Sequence, residues 1–378
     1  MLCAEARHRT GLQDFGDPEI ESRLSVLTQS IENEANLHPL GSFMARMHLR
    51  CLLETRLRLN DAWNKPEEAV DGSSVHRPIF ISGMPRSGST FLHELFAQDE
   101  DNRVPLVWEV MFPCSTAASG ASEMNQRIRK TAACLWWFRQ IAPEADSVHP
   151  LRATTPQECG PIHSYTLLSR EFETIFRVPS YERFLKNVDF GVAYVWQKRF
   201  LQHLLGRASA KRWILKAPDH VFSLDALFAV FPDAVIIQTH RDPLAVLESS
   251  SRLVEVLRGT FARPEPRDQL GRREARSLAE GMDRITGFRD AHPELADRFI
   301  DIHYKALVAN PFAAARSLYA QLDLPLTDTT AARIKSVAAQ RSRYTRRTNP
   351  TLDELGVDQR VEARRFESYC MRFGIQQA

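Results

Sequence analysis

Residues 78–82, Pro-Ile-Phe-Ile-Ser, form an apolar run rich in β-formers that stops at Gly83. Glycines and small hydroxyl residues follow, and from Phe91 the apolar positions fall at helical spacing. That order predicts a strand at 78–82, a tight turn, and a helix over about 89–98. Similar runs predict strands at 212–215, ending at Lys216, at 234–239, and at 299–302, leading into His303 and Tyr304. Between them lie a helical stretch at 223–230 and a helix start at Asp242-Pro243, with aspartate as N-cap and proline as first helical residue. Strands alternating with helices mean a parallel sheet covered on both faces, with ligands at the C-terminal ends of the strands. The fold class is therefore α/β, a central parallel sheet flanked by helices.

The first 76 residues read differently. Asp17-Pro18 opens a helix with Ile20, Leu24, Leu27 and Ile31 on one face, and a second helix runs roughly from Gly41 to Asn64. Asp71-Gly-Ser-Ser74 reads as a linker, so a helical region at 1–76 precedes an α/β domain at 77–378. Residues from about Trp108 to Phe200 are expected to be helical and irregular. Arg258 to Arg276, rich in arginine, proline and glycine, reads as a surface loop or a lid over an anionic ligand.

The chain has 378 residues and a formal charge of +2, a balance that points to neither nucleic acid nor a membrane as partner. Six cysteines are scattered without metal or redox spacing, the pattern of reduced, buried thiols in a cytoplasmic protein. The N-terminus has no signal-peptide core, and no apolar run approaches the length of a membrane span.

The chemistry concentrates in Gly83-Met-Pro-Arg-Ser-Gly-Ser-Thr90. A strand, a turn and a helix N-terminus make an anion site, because turn N–H groups and the helix dipole both favour negative charge. The spacing is that of a P-loop, but Ser89 stands where the lysine of a nucleotide triphosphate site belongs, and Arg86 lies inside the loop. The ligand expected is a phosphate compound other than ATP or GTP. A P-loop kinase or NTPase, with Asp242 on magnesium, is the first competing class. A non-catalytic nucleotide-binding relative is the second. Gly-x-Ser-x-Gly is absent, so no serine hydrolase is indicated.

The same loop resembles the 5′-phosphosulfate loop of sulfotransferases that use 3′-phosphoadenosine 5′-phosphosulfate (PAPS). Residues 234–249 resemble that family's 3′-phosphate element, with Arg241 at the end of a strand and Ser249 eight residues later. Similarity extends from about Thr10 to Ile375 and points to the bacterial branch with an N-terminal helical extension. The resemblance implies the P-loop-like sulfotransferase fold, PAPS as co-substrate and no metal. In that setting the backbone of Arg86 to Thr90 (with Gly88) and the hydroxyls of Ser87, Ser89 and Thr90 hold the donor, while Arg241 and Ser249 grip its 3′-phosphate. Tyr304 matches a tyrosine near the adenine. Arg343 and Tyr344, in a basic tail stretch, are further phosphate-reaching candidates.

Sulfuryl transfer also needs a base and a cation at the bridging oxygen. Glu109 lies 23 positions after Arg86, as a catalytic glutamate does in some relatives. Its neighbours Val107, Trp108, Val110 and Met111 make a setting that suits a base near neutral pH. His220 follows Lys216-Ala-Pro-Asp219 and is the rival, although its spacing departs from that of other sulfotransferases. Lys216 is the candidate for the bridging oxygen. Trp136, Trp137, Phe138, Phe172, Phe176 and Tyr181 offer apolar lining, which favours a hydrophobic small molecule or lipid alcohol as acceptor.

Overall fold

The computed structural model describes residues 1–65, 75–114, 121–205, 212–341 and 349–377. Five strands are present: β1 (Ile79–Gly83), β2 (Asn102–Arg103), β3 (Arg212–Lys216), β4 (Val235–His240) and β5 (Phe299–His303). They form one parallel sheet in the order β2-β3-β1-β4-β5. Every residue of β1 and β4 is buried, as expected of central parallel strands covered on both faces. The α/β class and four of the strands follow the hydrophobic pattern. The two-residue β2 has no pattern of its own and is added by the sheet.

The sheet order sets where a ligand can bind. From β1 the chain leaves for β2 and returns to β3 on one side, then crosses to β4 on the other. The C-terminal end of β1 is therefore the switch point where the connections part, and it opens into the Gly83–Thr90 loop. The helices of this part include Ser89–Phe96, Leu224–Val230, Pro243–Gly259, Arg267–Ala291 and Pro311–Gln321. The Asp242 carboxylate accepts from the Leu244 N–H at 3.1 Å, so the expected N-cap forms.

The chain divides into two compact units, and neither is continuous. One comprises Met1–Ser74, Pro105–Ser209 and Leu253–Pro264; the other Val75–Val104, Ala210–Arg252 and Glu265–Ala378. The expected linker at 71–74 lies outside the described residues. The first unit is helical, built on Ile20–Glu34, Pro39–Trp63, Ala121–Ile141 and Gly191–Leu205. Within it the buried Arg56 donates to the carbonyls of Phe15 and Tyr165 at 2.8 Å each and lies 4.1 Å over the Trp196 ring.

Three expectations are corrected. Residues 258–276 are not an open loop or lid: one helix runs to Gly259 and the next starts at Arg267. Phe172, Phe176 and Tyr181 are fully buried core residues, whereas Trp136 and Trp137 face outward. No disulfide forms among the cysteines, but Cys51 and Cys134 are exposed rather than buried.

Candidate active site

Gly83 ends β1 with φ +135°, and a Cβ there would sit 2.4 Å from the Thr239 carbonyl oxygen. Only glycine lets the loop leave the sheet this close to β4. The turn then passes through two more left-handed residues, Arg86 at φ +61° and Gly88 at φ +92°. Ser87 locks this shape. Its hydroxyl donates to the Met84 carbonyl and lies 2.6 Å from the Thr239 hydroxyl, which donates in turn to Ser82 O. The Ser87 hydroxyl, expected on the donor, is thus engaged inside the loop, and what it can offer a ligand is its backbone N–H. Thr239 is a loop-shaping residue that no sequence motif indicated. Helix Arg267–Ala291 lies against the same loop: a Cβ on Gly281 would meet Met84 Cε at 3.2 Å.

Two groups of side chains converge on the loop. On the β3 side, Lys216 is buried and its Nζ donates to Thr90 Oγ1 at 3.1 Å. The cation missing at Ser89 is supplied by the neighbouring strand, because Lys216 pairs with Ile81 in the sheet and so ends level with the loop. A buried ammonium at a helix N-terminus opposes the helix dipole, an arrangement that an anion between them relieves. Ser89 is buried at the first position of that helix, while Thr90 is exposed.

On the β4 side, Arg241 Nη1 donates to the Arg86 carbonyl at 2.7 Å, and its guanidinium lies 4.5 Å over the Tyr304 ring. Arg86 Nε donates to Ser249 Oγ at 3.1 Å. The Tyr304 ring also bounds Gly88, where a Cβ would meet both Tyr304 Cδ2 and Leu307 Cδ2 at 3.0 Å. Arg86, Gly88, Arg241, Ser249 and Tyr304 therefore form one contiguous set. The sequence listed them separately. Their coupling, with Arg241 carrying the strained backbone of Arg86 and Tyr304 carrying Arg241, is visible only in the fold.

Behind Arg241 lies a polar chain. His240 is buried, with Nδ1 2.9 Å from the Tyr369 hydroxyl and Nε2 2.8 Å from Asp301. Arg289 grips the same Asp301 carboxylate through two bonds of 2.7 and 2.9 Å. These contacts hold the carboxyl of Asp301 well below the usual carboxylate range, against its burial. Burial lowers the pKa of His240 despite Asp301. His240 thus anchors the end of β4 from which Arg241 projects.

His220 sits in the short 3₁₀ helix Pro218–Phe222 after β3, buried, with its ring edge-on to Phe80 at 5.0 Å. Glu109 belongs to the first unit. It is buried on the short helix Val107–Met111, where its carboxylate accepts from the Leu106 N–H at 2.9 Å. Arg343 and Tyr344 lie outside the described residues. Among the described residues, no group of His, Cys, Asp and Glu is placed to hold a metal ion, and no helix is long and apolar enough to cross a membrane.

Sequence and structure comparisons place the chain in a family. The model of the Sulfotransferase family matches residues 78–328, and the chain belongs to that family. It is 28% identical over 301 residues to omega-hydroxy-beta-dihydromenaquinone-9 sulfotransferase Stf3 of Mycobacterium bovis and of Mycobacterium tuberculosis, covering 75% of this chain and 71% of each relative. The crystal structure of sulfotransferase STF1 from Mycobacterium tuberculosis H37Rv superposes with a TM-score of 0.84 at 29% identity, covering 97% of both chains. That of sulfotransferase STF9 from Mycobacterium avium gives 0.85 at 25% identity, covering 100% of this chain and 96% of that one. The protein is accordingly a sulfotransferase, an enzyme that moves a sulfuryl group to an acceptor.

Proposed function

We infer that the enzyme takes its sulfuryl group from PAPS and delivers it to the hydroxyl of a hydrophobic alcohol, a lipid or lipid-like small molecule. The observation that carries the donor is the pairing of cations on either side of one strained loop, Lys216 at Thr90 and Arg241 with Arg86 at Ser249. The N–H groups of residues 86–90 hold the 5′-phosphosulfate, and Arg241 with Ser249 holds the 3′-phosphate. Tyr304 orients Arg241 by stacking beneath it.

In the reaction the acceptor oxygen forms a bond to sulfur while the bond from sulfur to the phosphate oxygen breaks. Lys216 stabilises the charge that builds on that leaving oxygen. The acceptor's proton passes to a base, for which Glu109 is our assignment. The lipid character of the acceptor is supported by the Stf3 relatives, whose name gives a hydroxylated menaquinone derivative as their substrate.

Calorimetry with adenosine 3′,5′-bisphosphate and with ATP tests the donor. Tight binding of the first and weak binding of the second is expected, and the reverse preference would remove the reading. A screen of hydroxylated lipids and phenols with ³⁵S-labelled PAPS then identifies the acceptor class. Labelling of water-soluble alcohols in preference to lipids would overturn the hydrophobic assignment.

A further inference from the structure

The first unit carries an outward face that sulfuryl transfer does not use. Helix Pro39–Trp63 leaves Phe43 and Met47 exposed, 60% and 40%, with the exposed Cys51 next in the same row. Helix Ala121–Ile141 presents a second row, Lys130, Cys134, Trp137 and Ile141, with Trp137 63% and Ile141 45% exposed. Trp136, 49% exposed, lies beside Trp137 with ring centroids 4.8 Å apart, and Arg129 stands two turns before it.

The two rows are neighbours. Cys51 lies within electrostatic reach of both Cys134 and Lys130. Residues 253–264 of the same unit meet both helices: a Cβ on Gly41 would strike the Phe261 carbonyl, and Val256 packs with Ala142 and Phe138. Met44 and Phe138 pack against the common core. The adjacent exposed tryptophans, with Ile141 one turn beyond Trp137, make an apolar patch on this helix, and Phe43 and Met47 expose an apolar row on the other.

Charge identifies what covers the patch. On helix 121–141 Arg129 and Lys130 are exposed beside the tryptophans, while Arg127 pairs inward with Glu123 and Arg139 with Asp146. The near-neutral total, which pointed away from a membrane, hides this local concentration. Tryptophan edges beside arginine and lysine match the headgroup level of an anionic bilayer, with apolar rings seated at the interface and cations on phosphates. A second copy fits less well, because a two-fold contact sets Arg129 and Lys130 against their own counterparts.

We propose that this face docks the enzyme on the surface of an anionic lipid bilayer. The contact is peripheral and is independent of donor chemistry, so it is tested without turnover. The native chain is mixed with vesicles of phosphatidylglycerol and phosphatidylcholine in equal parts, or of phosphatidylcholine alone, and floated on a density gradient. It should float with the anionic vesicles and be released by salt. Brominated lipids in the anionic vesicles should quench part of its tryptophan fluorescence.

A variant carrying Trp136→Ser and Trp137→Ser, and a second carrying Arg129→Glu and Lys130→Glu, should each partition at least about tenfold more weakly. Both should keep the native circular-dichroism spectrum and melting point. The quenching measurement needs no variant, so a folding defect leaves the idea exposed to test. Absence of native flotation, or unchanged partitioning of both folded variants, overturns it. A dimer that dissociates in the tryptophan variant without any vesicle binding assigns the face to a second copy and also overturns it.

Discussion

Arg241→Lys separates the charge of the proposed 3′-phosphate site from its shape. The native guanidinium does three things. It donates to the carbonyl of Arg86 at 2.7 Å, lies 4.5 Å over the Tyr304 ring, and in the proposed site also meets the phosphate. Arg86 sits at φ +61°, a conformation that non-glycine residues rarely adopt, so the donated bond holds the loop in a shape it would otherwise relax from. Lysine keeps the charge, but it has no planar face for Tyr304 and cannot fork between carbonyl and phosphate. Losing the stacking removes about 0.5–1 kcal/mol, and losing one hydrogen bond about 1–1.5 kcal/mol. The sum, roughly 2 kcal/mol, is about a thirtyfold weaker dissociation constant. Calorimetry measures it with adenosine 3′,5′-bisphosphate, and adenosine 5′-monophosphate serves as the control without the 3′-phosphate. The first should weaken by the full factor and the second much less. Unchanged affinity for the bisphosphate, or an equal loss for both nucleotides, refutes the reasoning.

Three further outcomes are expected. Gly88→Ala must place a Cβ at φ +92°, 3.0 Å from Tyr304 and Leu307, which should cost about 1–3 kcal/mol in stability or donor affinity; a denaturant titration and the same calorimetry would have to show neither loss to sink the idea. Glu109→Gln keeps an acceptor for the Leu106 N–H, so the fold should persist while single-turnover rates drop about 10²–10⁴-fold if Glu109 is the base. An active Glu109→Gln enzyme beside an inactive His220→Asn would move the role to His220. Burial lowers the pKa of His163 to about 4, with Nε2 2.6 Å from Gln197 Oε1. Between that value and the ordinary 6.5 only the unfolded chain takes the proton, so stability should fall on acidification by about 1.4 kcal/mol per pH unit. His48, also lowered to about 4 by burial, adds a like share, so in His163→Gln the dependence of melting point on pH across this window should lessen by about half, and an unchanged slope would assign the acid limb elsewhere.

Much of the framework was legible in the chain. The runs at 78–82, 212–215, 234–239 and 299–302 fall on β1, β3, β4 and β5, because strands buried on both faces must be continuously apolar. The glycine pattern of 83–88 marks the turn, and Asp242-Pro243 marks a helix start, since both encode backbone conformation locally. The Arg258–Arg276 stretch was misread for an instructive reason. Gly271 lies inside a helix, where a Cβ would stand 2.3 Å from the Leu355 carbonyl oxygen. That glycine answers a close packing contact with a segment far away in sequence, which imitates a loop signal.

The tertiary structure decided the rest. That Lys216 reaches Thr90 at the end of the loop depends on β3 lying next to β1. That Arg241 braces Arg86, and Arg86 meets Ser249, depends on β4 flanking β1 on its other side. That Trp136 and Trp137 face outward while Phe172, Phe176 and Tyr181 fill the core depends on which helix faces found partners. Local sequence fixes conformation because sterics and hydrogen bonding act over a few residues. Which side chains then share a charge, a hydroxyl or a ring face depends on strand order and helix packing, and those are set by contacts between residues distant in the chain.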